Sequence, residues 1–410
     1  MSRDLYEKLR TLPRADATEL LLTHLPAWAA ELADRPAAAV APTAAFAEIK
    51  AAWQDPTVLA DELLPRLHEK LGLWLMPAEL AGRTTLRELA TYIISEIQPP
   101  APAAGYADPH EGGTWTFKPP APYPPDTAGE ARPTAVFLLG PPRSGTTLLR
   151  AMLTGHPALF SPPELNLLPF DTLGAKRQEL REAGVDGFHT GLPQAFMHLG
   201  RVTYEEAERQ VGELEAQNLP MAEVYARLGE RAGGRLVVDK SPLYQAHVGW
   251  LQRAEQMFAQ PKYLFIGRHP YPVLESMVRN RFNRWLQNWF GFWDDNPFLF
   301  AEKLWAIYTQ NALTFLATIP EARQHWVRYE ELVQSPEPVM RRVCSFLGVE
   351  FDPAVLNPYQ GERMLDGVGD PGLQQRQRIQ PELARVQQPK PPQPLHSMTV
   401  QVARQLNYDI

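Results

Sequence analysis

The chain has a single cysteine, Cys344, among 410 residues. One thiol excludes a disulfide framework and any metal site built from several thiolates. A reduced, buried thiol in a cytoplasmic protein is the expectation. Nowhere do 18 apolar residues run together, so no membrane-spanning helix is expected. The opening Met1-Ser2-Arg3-Asp4-Leu5-Tyr6-Glu7-Lys8 is charged and lacks the apolar core of an export signal. Basic charge is short as well. Forty Lys and Arg face 47 Asp and Glu, a net charge of −7, which argues against a nucleic-acid protein. No cluster of His, Asp or Glu has metal-ligand spacing, and no metal is expected.

What is present suits a globular chain. Apolar residues make up 44% and charged ones 21%, enough for a large core and too apolar for wholesale disorder. At roughly 150 residues per domain, this length implies two or three domains. Proline is in excess: 41 residues, about twice the usual share. It concentrates between residues 98 and 133, with Pro99-Pro100, Pro119-Pro120 and Pro124-Pro125, and reads as an extended linker. The linker divides a domain of residues 1–97 from one of residues 134–410. A second proline-rich stretch, Pro389 to Pro394, precedes a helix expected over Ser397 to Gln405. There is no internal repeat.

Residues 1–97 read as a small all-helical domain. Leu63, Leu64, Leu67 and Leu71 recur at helical spacing. Thr85 with Glu88 forms a capping box ahead of Leu86, Leu89, Ile93 and Ile94. After the linker the pattern becomes α/β. Short apolar runs, Val136-Phe137-Leu138-Leu139, Leu236-Val237-Val238, Tyr263-Leu264-Phe265-Ile266 and Trp326-Val327, predict strands. Helical stretches separate them: Tyr204 to Arg227, Leu243 to Phe258, Pro272 to Arg284, Phe300 to Leu316 and Pro338 to Leu347. The alternation implies a P-loop-type parallel sheet with helices on both faces. Residues 171–235 are expected to form a helical cap. Ligands of such sheets bind where strands end, so the polar residues after each run are the place to look.

The first run is followed directly by Gly140-Pro141-Pro142-Arg143-Ser144-Gly145-Thr146-Thr147, then by a helical stretch. Two glycines five apart and a hydroxyl pair opening a helix make a phosphate-binding loop. Its backbone N–H groups and the helix N-terminus favour an anion. Nucleotide hydrolases need Gly-Lys-[Ser/Thr] at the end of the loop. Here Thr146 stands in place of that lysine, which argues against ATP or GTP, and Arg143 supplies positive charge instead.

Pro142-Arg143-Ser144-Gly145-Thr146-Thr147-Leu148-Leu149 resembles the 5′-phosphosulfate loop of sulfotransferases that use 3′-phosphoadenosine-5′-phosphosulfate (PAPS). The resemblance implies a second anion site for the 3′-phosphate, and Arg268 with Ser276 stands at the spacing of that clamp. In the protein-tyrosine branch a further arginine follows the serine by four. Here that position is Asn280, between Arg279 and Arg281. Tyr329, in Arg328-Tyr329-Glu330-Glu331-Leu332-Val333, resembles the tyrosine near the adenine. Gly367-Val368-Gly369-Asp370-Pro371 resembles the late loop that closes over the nucleotide, with Gly369 in contact.

Sulfuryl transfer needs in-line attack, a base for the acceptor and cations at the developing charge. Glu164, 21 residues after Arg143, stands at the offset of the catalytic glutamate in the protein-tyrosine branch; a structural role capping a helix after Pro163 is the alternative. Lys240, in Asp239-Lys240-Ser241-Pro242, resembles the lysine that supports the leaving group, a load Arg143 could share. His247 and His269 are alternative bases.

The span from Ala135 to about Arg378 most resembles sulfotransferase domains of olefin-forming polyketide assembly lines. The carrying phrases include Phe160-Ser161-Pro162-Pro163-Glu164-Leu165 and Arg268-His269-Pro270-Tyr271. That resemblance implies a β-hydroxyl acceptor on an acyl carrier protein. A thioesterase then hydrolyses the thioester, and loss of sulfate and CO₂ leaves an alkene. Residues 62–97 resemble the last three helices of an acyl carrier domain, without the serine that bears the arm; Pro56-Thr57 stands there. Docking or dimerisation, including a homodimer, are the roles left to such a remnant. The chain departs from those systems in having no working carrier, no thioesterase and no histidines in Gly372-Leu373-Gln374-Gln375-Arg376. A free small-molecule alcohol or a protein tyrosine thus stand as alternative acceptors. A small-molecule kinase and an inactive interaction module are the rival functions. The aromatic stretch from Arg281 to Phe300 is either core packing or the wall of an apolar acceptor tunnel.

Overall fold

A computed structural model describes residues 2–71, 73, 75, 80, 82–98, 133–182, 186–285, 296–361, 378–379 and 394–410. The chain divides into two compact units. The first comprises Met1–Gly105, Glu275–Trp285 and Asp294–Ala301, and the second the remainder.

The first unit is helical: Ser2–Thr11, Arg14–Leu32, Phe46–Ile49, Pro56–Leu71 and Leu86–Ile97. Leu63, Leu67 and Leu71 share one buried face with Leu21, Leu25, Leu89 and Ile93, and Leu64 packs at its margin. The capping box forms as expected: Glu88 N donates to Thr85 Oγ1 at 3.2 Å, and Thr85 N to Glu88 Oε2 at 3.2 Å. Asp55 Oδ1 accepts from Thr57 N at 2.8 Å, so the helix from Pro56 opens on a side-chain cap. The same unit buries Arg281, whose Nη2 donates to Glu96 Oε2 at 2.7 Å and to Tyr92 Oη at 2.8 Å. Arg279 lies 3.7 Å from Glu275 and faces the ring of Tyr6. Both arginines beside Asn280 therefore have partners within this unit.

The second unit is built on a five-stranded parallel sheet: β1 (Val136–Leu139), β2 (Leu159–Phe160), β3 (Leu236–Asp239), β4 (Lys262–Gly267) and β5 (Gln324–Arg328), in the order β2-β3-β1-β4-β5. The four expected strands are present. The two-residue β2 is additional and too short to read as a strand in sequence. Alternation along β1 sends side chains to opposite faces. Val136 and Leu138 pack with Leu149, Met152, Val339 and Val343, from helices Thr146–Thr154 and Pro336–Leu347. Phe137 points the other way and meets Tyr225, Tyr244 and Phe258, with ring centroids 6.4, 6.2 and 5.2 Å away. Helices thus cover both faces.

From Leu173 onward the described chain before β3 is mostly helical, as expected of residues 171–235: Leu173–Glu182, Gly191–Gly200, Tyr204–Ala216 and Met221–Arg231. The single helix expected over Tyr204 to Arg227 is two. Asn218 takes a left-handed φ of 51°, and Pro220 caps the second helix. Cys344 is buried and unpaired with any other cysteine. No helix among the described residues is long and apolar enough to cross a membrane.

Candidate active site

Strand order brings three chain segments together. β1 lies between β3 and β4, so the phosphate loop leaves the middle of the sheet. Asp239-Lys240 ends β3 on one side, and Arg268 follows β4 on the other. The connection from β1 runs outward to β2 and that from β3 crosses β1 to reach β4, and between two such strands these sheets open a crevice at their carboxyl edge.

The loop is a strained turn that ends in a helix. Arg143 adopts a left-handed φ of 67°, and Gly145, the N-cap of Thr146–Thr154, a φ of 95°. Only glycine fits at 145. An added Cβ would stand 2.3 Å from Cδ2 of the Tyr329 ring. The first N–H groups of the helix have no intrahelical acceptor and face the turn. Among the loop's hydroxyls, Ser144 Oγ is buried with no hydrogen-bond partner. A buried hydroxyl without a partner is costly, and an anion oxygen would satisfy it.

Two residues brace the loop. Arg268 Nη1 donates to Arg143 O at 2.9 Å, and its guanidinium lies 4.0 Å over the Tyr329 ring. Tyr329 is therefore the packed floor of the loop. The other brace was not legible in sequence. Gln245, fully buried after β3, accepts from Gly140 N at 2.9 Å and donates to Gly140 O at 2.9 Å. Asn311, on helix Pro297–Leu316, donates in turn to Gln245 O at 2.9 Å.

Glu164 and Lys240, 76 residues apart in sequence, form an ion pair. Side-chain exposure is 2% for Lys240 and 13% for Glu164. Burial pushes the Glu164 carboxyl up and the Lys240 ammonium down, and each partner's charge opposes the other's shift. Arg150, buried on the phosphate-loop helix, acts electrostatically on both and donates to Ser161 O at 3.1 Å. Glu164 caps no helix; residues 161–170 have no regular structure. Next to Lys240, buried Asp239 accepts from Tyr225 at 2.5 Å, Ser241 at 2.7 Å and Tyr244 at 2.7 Å. Burial raises its carboxyl and the three hydroxyls oppose that rise.

The alternative bases have other employment. His247 Nδ1 accepts from Gly249 N at 3.0 Å and caps helix Val248–Met257. His269 accepts from Tyr271 N at 3.3 Å through Nδ1, and its Nε2 lies 3.1 Å from Asp409 O. Burial lowers the pKa of both. Ser276 is buried on helix Pro270–Arg279 in the first unit, 3.4 Å from Asn280 Nδ2; its pairing with Arg268 rests on the sequence resemblance. Gly369, with Gly367 to Pro371 and Gly372 to Arg376, lies outside the described residues. So do Trp289, Phe290, Phe292 and Trp293 of the aromatic stretch, whereas Phe298 and Phe300 are buried.

A parallel α/β sheet with a glycine-bearing loop on its central strand, and a carboxylate–ammonium pair at the next strand end, is the frame the family comparison has to match. The model of the sulfotransferase family matches residues 133–353, and the chain belongs to that family. The sulfotransferase domain of the Synechococcus PCC 7002 olefin synthase is 41% identical, with 69% of this chain and 98% of that one covered at a TM-score of 0.63. The sulfotransferase domain from the curacin biosynthetic pathway is 40% identical, covering 68% of this chain and all (100%) of that one at a TM-score of 0.64. Protein-tyrosine sulfotransferase 2 of Gallus gallus is 27% identical over 231 residues, 54% of this chain and 53% of that protein. The chain spans about half the length of the curated relatives it matches.

Proposed function

We propose that the chain transfers a sulfuryl group from PAPS to a hydroxyl, most specifically the β-hydroxyl of an acyl chain held on a carrier protein. The observation that carries this is the buried Glu164–Lys240 pair beside the phosphate loop. The donor's fit rests on the loop itself: an unpartnered Ser144 hydroxyl, the open helix N-terminus after Gly145, and Arg143 and Arg268 at its edge. In this reading Arg143, Ser144, Gly145, Thr146 and Thr147 hold the 5′ end. Arg268, with Ser276 and the Gly369 loop, serves the 3′ side, and Tyr329 the base side.

Bound PAPS would supply the sulfuryl group and leave as 3′-phosphoadenosine-5′-phosphate (PAP). Glu164 receives the acceptor's proton as its oxygen bonds to sulfur. Lys240 and Arg143 place positive charge where the leaving phosphate develops negative charge. The two structural relatives named for olefin synthase and curacin biosynthesis support the carrier-borne acceptor.

Mass spectrometry of hydroxyacyl carrier proteins incubated with the enzyme and PAPS tests the reading, through an added SO₃ on the acyl chain. Modification of a tyrosine peptide or a free alcohol, with the carriers untouched, would move the acceptor to those classes. Thermal stabilisation by ATP-Mg and not by PAP would make the chain a kinase.

A further inference from the structure

Glu164 sits in a stretch without helix or strand, so its neighbouring peptides need partners from elsewhere. Two are served from the end of β3. Asn166 N donates to Ser241 Oγ at 3.0 Å, and Leu167 N to Tyr244 Oη at 2.8 Å. The other side is held by the helical segment that follows. Lys176, fully buried on helix Leu173–Glu182, donates from Nζ to Leu165 O at 2.7 Å. Gly191, which opens helix Gly191–Gly200, lies against the Glu164 peptide. A Cβ there would stand 1.9 Å from Glu164 O and 2.6 Å from its carbonyl carbon. Both are backbone atoms, so the contact cannot be relieved by a rotamer change.

We infer that Gly191 and Lys176 are positioning residues for Glu164, so that the helical segment between β2 and β3 sets where the base stands. The inference rests on Glu164 being the base. One residue allows the approach by having no side chain; the other spends a buried donor on the adjoining carbonyl. The bond and the close approach are both to the backbone at Glu164 and Leu165, so their effect is expected on the transfer step.

The test is a double-mutant cycle in the full chain. Gly191→Ala should lower kcat about 10²-fold, the usual cost of misplacing a reacting group by about 1 Å. Lys176→Met, which keeps the stem and removes the donor, should lower it in the same direction. Calorimetry should show PAP binding unchanged in both. In a Glu164→Gln background neither change should slow transfer further, because the group they position is gone. Equal losses in both backgrounds would make them merely structural and overturn the inference. So would full activity of both single variants while Glu164→Gln is slow. A fully active Glu164→Gln would instead sink the base assignment itself. Should Gly191→Ala fail to fold, the Lys176→Met cycle decides alone.

Discussion

Gln245 holds both polar atoms of a single peptide group, the N–H and the C=O of Gly140, in a site closed to water. Its substitution by leucine would leave a buried donor and a buried acceptor unpaired, each costing about 1–3 kcal/mol. Gln245→Leu should therefore lower the melting temperature by several degrees and weaken PAP, because the phosphate loop starts at Gly140. Unchanged melting would refute the clamp. Lys176 makes a second prediction through pH. Burial brings its ammonium down from 10.5 to about 7, with Glu215 and Asp239 opposing and Arg177 assisting. Above about pH 7 the unfolded chain binds the extra proton, so folded-state stability rises with pH until the unfolded lysine also deprotonates. Lys176→Met removes this term. Wild-type stability relative to that variant should grow from pH 6.5 to pH 9, and a constant difference in melting temperature would contradict it. These residues also mark the limit of sequence reading. Arg143, Glu164 and Lys240 could be singled out in sequence because they stand in recognisable phrases, and the structure brings Glu164 and Lys240 together. Gln245 could not, since its meaning lies in a partner 105 residues away. Nor could Gly191, which stands in close approach to the Glu164 peptide rather than in a turn.

Among the elements, the helix ends carry most of what could be read. The Thr85–Glu88 box, the terminal helix Ser397–Gln405 and the glycine ahead of Thr146–Thr154 all follow from local chemistry. The break between Tyr204–Ala216 and Met221–Arg231 was missed because apolar periodicity runs on across it, while Asn218 and Pro220 end the helical backbone. β2 escaped because two residues show no alternation. Helix Leu86–Ile97 carries a sharper consequence. Its Glu96 neutralises Arg281, whose side chain is only 3% exposed. Removing one partner of a buried pair strands the other, at a cost on the order of 3 kcal/mol. Glu96→Ala should lower the first thermal transition, and Glu96→Asp should lower it less. Equal effects would mean the charge is not what matters there.

At the scale of the whole molecule, the helical pattern of the first hundred residues and the α/β pattern after the proline-rich stretch could be read from sequence. The order of the sheet could not be read. Strand neighbours depend on which apolar faces find each other, and the sequence shows only that each strand is buried. Nor could it be read that residues 275–285 and 294–301 belong with the N-terminal helices, because nothing local in them differs from the surrounding α/β pattern.

The bonds from Arg281 to Glu96 and Tyr92 span 185 and 189 positions of chain, well across the proline-rich stretch. A backbone cut anywhere between residues 98 and 133 would leave them intact. Nicked protein should elute from a sizing column as one species and come apart only in denaturant. Produced as two polypeptides in one cell, residues 1–97 and 134–410 should co-purify through a tag on either piece. The larger piece made alone would carry Arg281 without its carboxylate and should be the one that precipitates. In covalent terms the chain has a seam at its prolines; in terms of what must be kept in the tube together, it has none.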